Sequence, residues 1–112
     1  MSLGDVQISL EGRAVVVRVS GEIDLSNAAA IEQAIVLATP NHAELVLLDL
    51  SEVDYLDSAG IHLVYRLREK LQGRGQSLKL VMEGHSPAGD ALKLAGVMEH
   101  LEIETSVQAA LE

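Results

Sequence analysis

The chain predicts a mixed α/β fold: a β-hairpin first, then helices alternating with strands around one mixed sheet. Three observations carry this. Apolar runs over residues 6–10 and 14–19 flank Glu11, Gly12 and Arg13, which is a hairpin signature. Residues 45–50 are apolar on both faces, as in a central strand covered from two sides. Beyond them, segments with helical spacing alternate with short strand-like runs, giving about four helices in all.

Taken in order, residues 6–10 alternate as a strand with one wet face, and residues 14–19 supply its hairpin partner. Gly21, Glu22, Ile23 and Asp24 break that pairing. Ser26 is placed to cap a helix with the apolar stripe Ala28, Ile31, Ile35 and Ala38, ending before Pro40. The central strand over 45–50 runs into a short acidic loop, and a second helix opens at Ser58. Its buried stripe is Gly60, Leu63, Val64, Leu67 and Leu71, and it stops near Gly73, Arg74 and Gly75. Residues 78–82 form the next strand. Ser86 as cap and Pro87 at the first position start a third helix, with Leu92, Leu94 and Ala95 as its apolar contacts. Residues 101–103 read as a weak strand. Thr105 and Gln108 have capping-box spacing for a last helix through Leu111.

At 112 residues the chain fits one domain, residues 1–112, with its core over about 6–111. Tyr55 and Tyr65 are its only aromatic residues, so Val, Leu, Ile and Ala must fill the interior. Seventeen acids against eight bases give a formal charge of -9. Nucleic-acid affinity comes largely from Lys and Arg neutralising phosphates, so this balance argues against it and against anionic membrane surfaces. A protein partner is the better expectation. No run approaches the roughly 18 apolar residues of a spanning helix, so direct membrane insertion is not expected. The absence of cysteine fits a reducing cytoplasm.

Enzyme signatures are missing. Leu56 stands two residues before Ser58, where a Gly-x-Ser-x-Gly elbow requires glycine. His42, His62, His85 and His100 are scattered without metal-ligand spacing, and there is no P-loop. Asp49, Asp54 and Asp57 are expected to crowd one end of the sheet as loop and cap residues rather than as Mg²⁺ ligands. Neither catalysis, cofactor nor metal is expected.

Ser58 is the informative residue. One reading makes it the helix cap. The other makes it a regulatory hydroxyl at a helix N-terminus, where free N–H groups and the positive dipole end favour a phosphate. A phosphoryl group would add about -1.5 to -2 charges beside the aspartates. At about 100° per residue, Ser58 lies opposite the core stripe, and Ile61, His62 and Tyr65 share its outward side. They form a candidate docking surface with Asp57. Asp24 borders it if its loop lies at the same end. Arg66 and Lys93 read as solvated surface charges.

Gly21 to Asp24, the strand into Asp49, Leu50 and Ser51, the run Asp57, Ser58, Ala59, Gly60, and Ser86 with Pro87 resemble the STAS domain family at matching places. The resemblance covers about residues 6–111 and is most specific over 45–71. The length is similar to that of the bacterial anti-sigma factor antagonists. The resemblance implies a binding module that holds an anti-sigma factor serine kinase while unmodified. The partner's kinase activity then phosphorylates Ser58 and releases it, and a PP2C-type phosphatase reverses the change. Asp57 would shape the loop. Ala59 occupies the family's second hydroxyl position, as it does in STAS subunits of phospholipid-transport ABC complexes and in chemotaxis-associated STAS proteins. These are the alternative reading, with a nucleotide-binding STAS protein as a third.

Overall fold

The computed structural model describes residues 5–83, 85–96 and 101–112; His100 lies outside them. Strands β1 (Asp5–Glu11) and β2 (Ala14–Ile23) form the expected hairpin. Gly12 takes φ +64° at its turn, and no described non-glycine residue has positive φ. A two-residue loop with glycine first is the type II′ geometry that matches strand twist. Then follow α1 (Ala28–Ala38), β3 (Leu45–Leu56), α2 (Ser58–Gly73), β4 (Ser77–Val81), α3 (Pro87–Leu94), β5 (Ile103–Glu104) and α4 (Val107–Leu111). The sheet runs in the order β1-β2-β3-β4-β5. Among the described residues only β1 and β2 pair antiparallel; the other pairings are parallel.

The two sheet faces are unequal. Val15, Val17, Val19, Val46, Leu48 and Leu50 point into the main core beneath α1, α2 and α3. Val16, Leu47 and Val81 face the other way and are closed over by Ala110 and Val107 of α4. Residues 45–50 are therefore covered on both sides, as their composition requires. β1 departs from expectation, because Ile8 and Leu10 are 38% and 62% exposed and only Val6 reaches the core.

The expected acidic loop after Leu50 is strand. β3 continues to Leu56, and β2 continues with it to Ile23. The Gly21 segment ends the hairpin pairing at Asp5↔Ser20 but not the strand. Register shifts between Arg18 and Ser20 and between Gly21 and Glu22 mark bulges. Through them β3 turns Leu50, Val53 and Leu56, three residues apart, all into the core. A bulged strand breaks the two-residue alternation, so its sequence does not look like a strand.

The helix starts differ in part from those expected. Ser26 does not cap α1: Asn27 holds the cap position, and its side chain accepts no bond from the first N–H groups of the helix. Ala38 is exposed, and Glu32 joins the buried side instead. Ser86 and Pro87 start α3 as expected, with Gly89 N–H donating to Ser86 Oγ. Leu94 is exposed, however, and Ala88, Gly89 and Leu92 are the buried residues. Ser106, not Thr105, caps α4, accepting from Ala109 N–H. The last strand sits slightly later than expected, with Ile103 opposite Leu80.

Candidate partner-binding site

The α2 stripe Gly60, Leu63, Val64, Leu67 and Leu71 is buried as predicted. It orients the first turn, and the cap residue is Asp57. Its Oδ1 accepts from Ala59 N–H at 2.9 Å and Gly60 N–H at 3.2 Å. Ser58 is the first helical residue, exposed, and takes no part in the cap. The cap reading of Ser58 is thereby overturned. Asp57 satisfies two of the N–H groups that a helix start leaves open, and the serine side chain is not required for that.

The Asp24 loop does lie at this end. Ile23 pairs with Leu56, and Asp57 N–H donates to Ile23 carbonyl oxygen. The loop is tied internally: the Ser26 hydroxyl and the Ser26 N–H, at 2.9 Å, both donate to Asp24 Oδ1. Asn27 Oδ1 accepts from Asp24 N–H, and Asn27 Nδ2 donates to Glu22 carbonyl oxygen at 2.7 Å. The Ser26 hydroxyl first, then the Ser26 N–H, hold the Asp24 carboxyl below its ordinary value; slight burial opposes them, and an Asn27 backbone bond adds to the lowering. Asp24 is therefore a fixed negative charge here.

Asp24, Leu25, Ser26, Tyr55 and Asp57 line one open recess of about 460 Å³. Leu25 is 85% exposed and Tyr55 half exposed. The recess joins the apolar Leu25 and Tyr55 with the acidic Asp24 and Asp57 in one lining. Ser58 follows directly, and Ile61, His62 and Tyr65 continue from it at spacings of three and four along α2, which makes them surface neighbours. His62 is exposed and Tyr65 is half-buried. Ile61 is half-buried and packs against the core, so it offers only part of its side chain.

Sequence reasoning missed Leu25 and Tyr55. Leu25 had a signal, a lone large apolar residue inside the polar turn Asp24–Ser26. Tyr55 is hidden in the sequence because the bulged strand around it lacks strand alternation.

The three aspartates do not cluster. Asp49 lies on the α4 face of β3, buried, bonded to Arg18 Nε at 3.3 Å and to Ser51 N–H at 3.0 Å. Eight residues of strand put it roughly 20 Å or more from Asp57. Among the described residues no group of three or more His, Asp or Glu side chains is placed to hold a metal. Arg66 is at the surface, as expected, with its side chain 47% exposed, but it is paired: it and Lys70 both bond Glu32, a buried carboxylate of α1.

A family model described as "Mlab, STAS domain" matches residues 6–101. The chain belongs to the STAS domain family. Within it, the anti-sigma-F factor antagonist RsfB of Mycobacterium tuberculosis is 39% identical over 64 residues, 57% of this chain and 50% of the relative. This STAS domain thus spans about half the length of the curated relatives it matches. A crystal structure of an anti-sigma factor antagonist from Mycobacterium paratuberculosis is 28% identical, covering 97% of this chain and 92% of that one, with a TM-score of 0.80. The unphosphorylated form of the anti-sigma factor antagonist SpoIIAA superimposes with a TM-score of 0.72 at 19% identity, over 96% of this chain and 94% of that one. At that identity the likeness is one of fold. No helix among the described residues is long and apolar enough to cross a membrane.

Proposed function

We propose that residues 1–112 form a single STAS domain acting as an anti-sigma factor antagonist switched at Ser58. The unmodified protein binds an anti-sigma factor that is also a serine kinase, through the recess of Asp24, Leu25, Tyr55 and Asp57 and the adjoining Ser58, Ile61, His62 and Tyr65. That kinase transfers a phosphoryl group from its own ATP to Ser58 Oγ, and the partner dissociates. A PP2C-type phosphatase restores the binding form. The domain itself is a cytoplasmic binding module rather than an enzyme.

The observation that carries this reading is the division of labour between Asp57 and Ser58. Asp57 already caps the helix, so Ser58 can carry a phosphoryl group without unmaking the fold. The helix end tolerates the added charge, while the Asp57 and Asp24 carboxylates and a desolvated partner surface do not. The names of the relatives from the two mycobacteria support the same role.

The test is affinity capture with wild-type and Ser58→Asp baits, followed by incubation of the captured kinase with ATP. A kinase-like protein held by wild type, lost with Ser58→Asp, and adding phosphate at Ser58 supports the switch. If Ser58→Ala is still released on adding ATP, the switch lies elsewhere. Ala59, together with the "Mlab" description of the matched family, favours one second reading, a constitutive STAS subunit of a lipid-transport ATPase. Capture of a transporter ATPase by both baits would establish that instead.

A further inference from the structure

The sheet has two edges of very different character. β5 is only two residues long. β1 is seven residues long, pairs with β2 without a register shift, and contains neither proline nor lysine. Natural edge strands are protected by shortness, bulges, proline or charges, lysine above all; β1 has charges only at its two ends, Asp5 and Glu11, and none between them. Instead it carries Ile8 and Leu10, exposed side by side on one face.

The hairpin turn decides which amides are free. A two-residue loop makes Glu11 and Ala14 a hydrogen-bonded pair. With an unbroken register, Gln7 and Ser9 also point their N–H and C=O groups at β2, and Val6, Ile8 and Leu10 point theirs outward.

We propose that β1 pairs antiparallel with β1 of a second copy, about a twofold axis through Ser9, to give a weak dimer with a continuous sheet. Two registers keep Ile8 and Leu10 both paired through their outward groups. The one centred on Ile8 sets Asp5 against Glu11 at both ends, and like charges directly opposite are destabilising. The one centred on Ser9 sets Ile8 against Leu10, Gln7 against Glu11, and Asp5 against Arg13. Arg13 is exposed and bonds Glu44 through a single nitrogen at 2.9 Å. Its fork has further donors for the Asp5 of the second copy. The charge pattern therefore selects the Ser9 register and identifies the occupant as the same chain. A strand pairing of this length belongs to the small, weak class of interface. Because each copy carries a charge of -9, added salt should strengthen the dimer by screening.

The chain has no cysteine, which allows a clean test. Ser9→Cys places two thiols opposite each other in a non-hydrogen-bonded pair, while Gln7→Cys faces Glu11. Under mild oxidation Ser9→Cys should give covalent dimer at least tenfold faster than Gln7→Cys. Sedimentation of the wild type should show the mass rising from 12.0 kDa toward twice that value as concentration increases. Ile8→Pro removes an outward N–H without touching the β2 ladder and should restore the monomer. If Ile8→Pro fails to fold, Ile8→Lys, at the same exposed edge position, serves in its place, because it faces its own copy in one register and Leu10 in the other. A wild type that stays monomeric at about 1 mM, a Kd corresponding to only about 4 kcal/mol, would overturn the proposal. So would equal crosslinking of the two cysteine variants.

Discussion

Gly60 offers the sharpest test of how the site is built. A Cβ at this position would lie 2.3 Å from Leu56 Cδ1, 3.0 Å from Leu56 Cγ and 3.1 Å from Ile23 Cγ2. By helix propensity alone, Gly60→Ala should stabilise α2 by about 1 kcal/mol. Forcing a methyl group into a filled core costs about 1–3 kcal/mol. Leu56 can swing its Cδ1 aside, but its Cγ and the buried Ile23 leave little room, so the cost falls in the upper half of that range. The net expectation is a loss of about 1 kcal/mol, or roughly 4 °C in Tm for a domain of this size. The assay is thermal unfolding of wild type, Gly60→Ala, Leu56→Ala and the double variant. In the double variant the clash is relieved, so the losses should fall short of additive by about 1 kcal/mol. A Gly60→Ala protein that melts above wild type would refute the packing argument, as would strict additivity. Partner affinity should also fall, because Leu56 and Ile23 directly precede Asp57 and Asp24.

Asp57→Ala removes the acceptor of two helix N–H groups and should cost about 1 kcal/mol, read as a lower urea midpoint at unchanged m; Ser58→Ala should stay within about 0.5 kcal/mol of wild type. Burial alone would raise the Glu32 carboxyl, but the bonds and charges of Lys70 and Arg66 outweigh it and hold it below its ordinary value. The folded form therefore holds its proton less tightly than the unfolded one. The resulting stability is complete above the ordinary Glu range and is lost as pH falls through and below it. Glu32→Gln should be less stable at neutral pH by about 1–2 kcal/mol, the half-exposed cations reducing the full value of a charged hydrogen bond. The two stability curves should converge in acid, and a constant gap down to acid pH would refute the assignment. Gln76 is buried, and its Nε2 donates to Pro40 and Ala43 carbonyl oxygens at 3.0 and 2.9 Å. Gln76→Met strands the Ala43 carbonyl, whereas the Pro40 carbonyl keeps its bond from Ala43 N–H at 3.1 Å, and should cost about 1–3 kcal/mol, measurable by chemical unfolding.

The α2 stripe and the Ser86–Pro87 start were legible in the sequence because each rests on a local rule, helical spacing or cap chemistry. The continuation of β3 was not. Its apolar residues after Leu50 recur every third position, which fits neither a flat strand nor, over so short a span, a helix. Only pairing with a shorter stretch of β2 turns them all inward. Ser26 was misassigned for a related reason: serine suits a cap, but here its hydroxyl is bonded by the Asp24 carboxylate two residues back. Asp49 was misplaced because an apolar strand followed by acids looks like a strand followed by a loop. The Arg18 side chain that neutralises it comes from 31 residues away.

These misreadings share a consequence for the site. The bulges that hid the strand carry β3 on to Leu56, beside Ile23, and so bring the Asp57 cap against the Asp24 loop. Without them Asp24 and Asp57 would end at different heights on the sheet, and no common recess would exist. The same extension leaves Tyr55 outward between core residues Val53 and Leu56, where it lines the recess together with Leu25. The bulged pairing, rather than any single motif, converts a helix start bearing a serine into a surface that joins two apolar side chains with two fixed carboxylates. A phosphate added to Ser58 would enter a charge arrangement that the backbone has already set. The local response should therefore be electrostatic rather than a refolding of α2. Near-identical far-UV circular dichroism and amide exchange in α2 for wild type and Ser58→Asp, alongside loss of the partner, is the expected outcome. Loss of exchange protection along α2 in Ser58→Asp would show instead that the charge acts by unfolding the helix start.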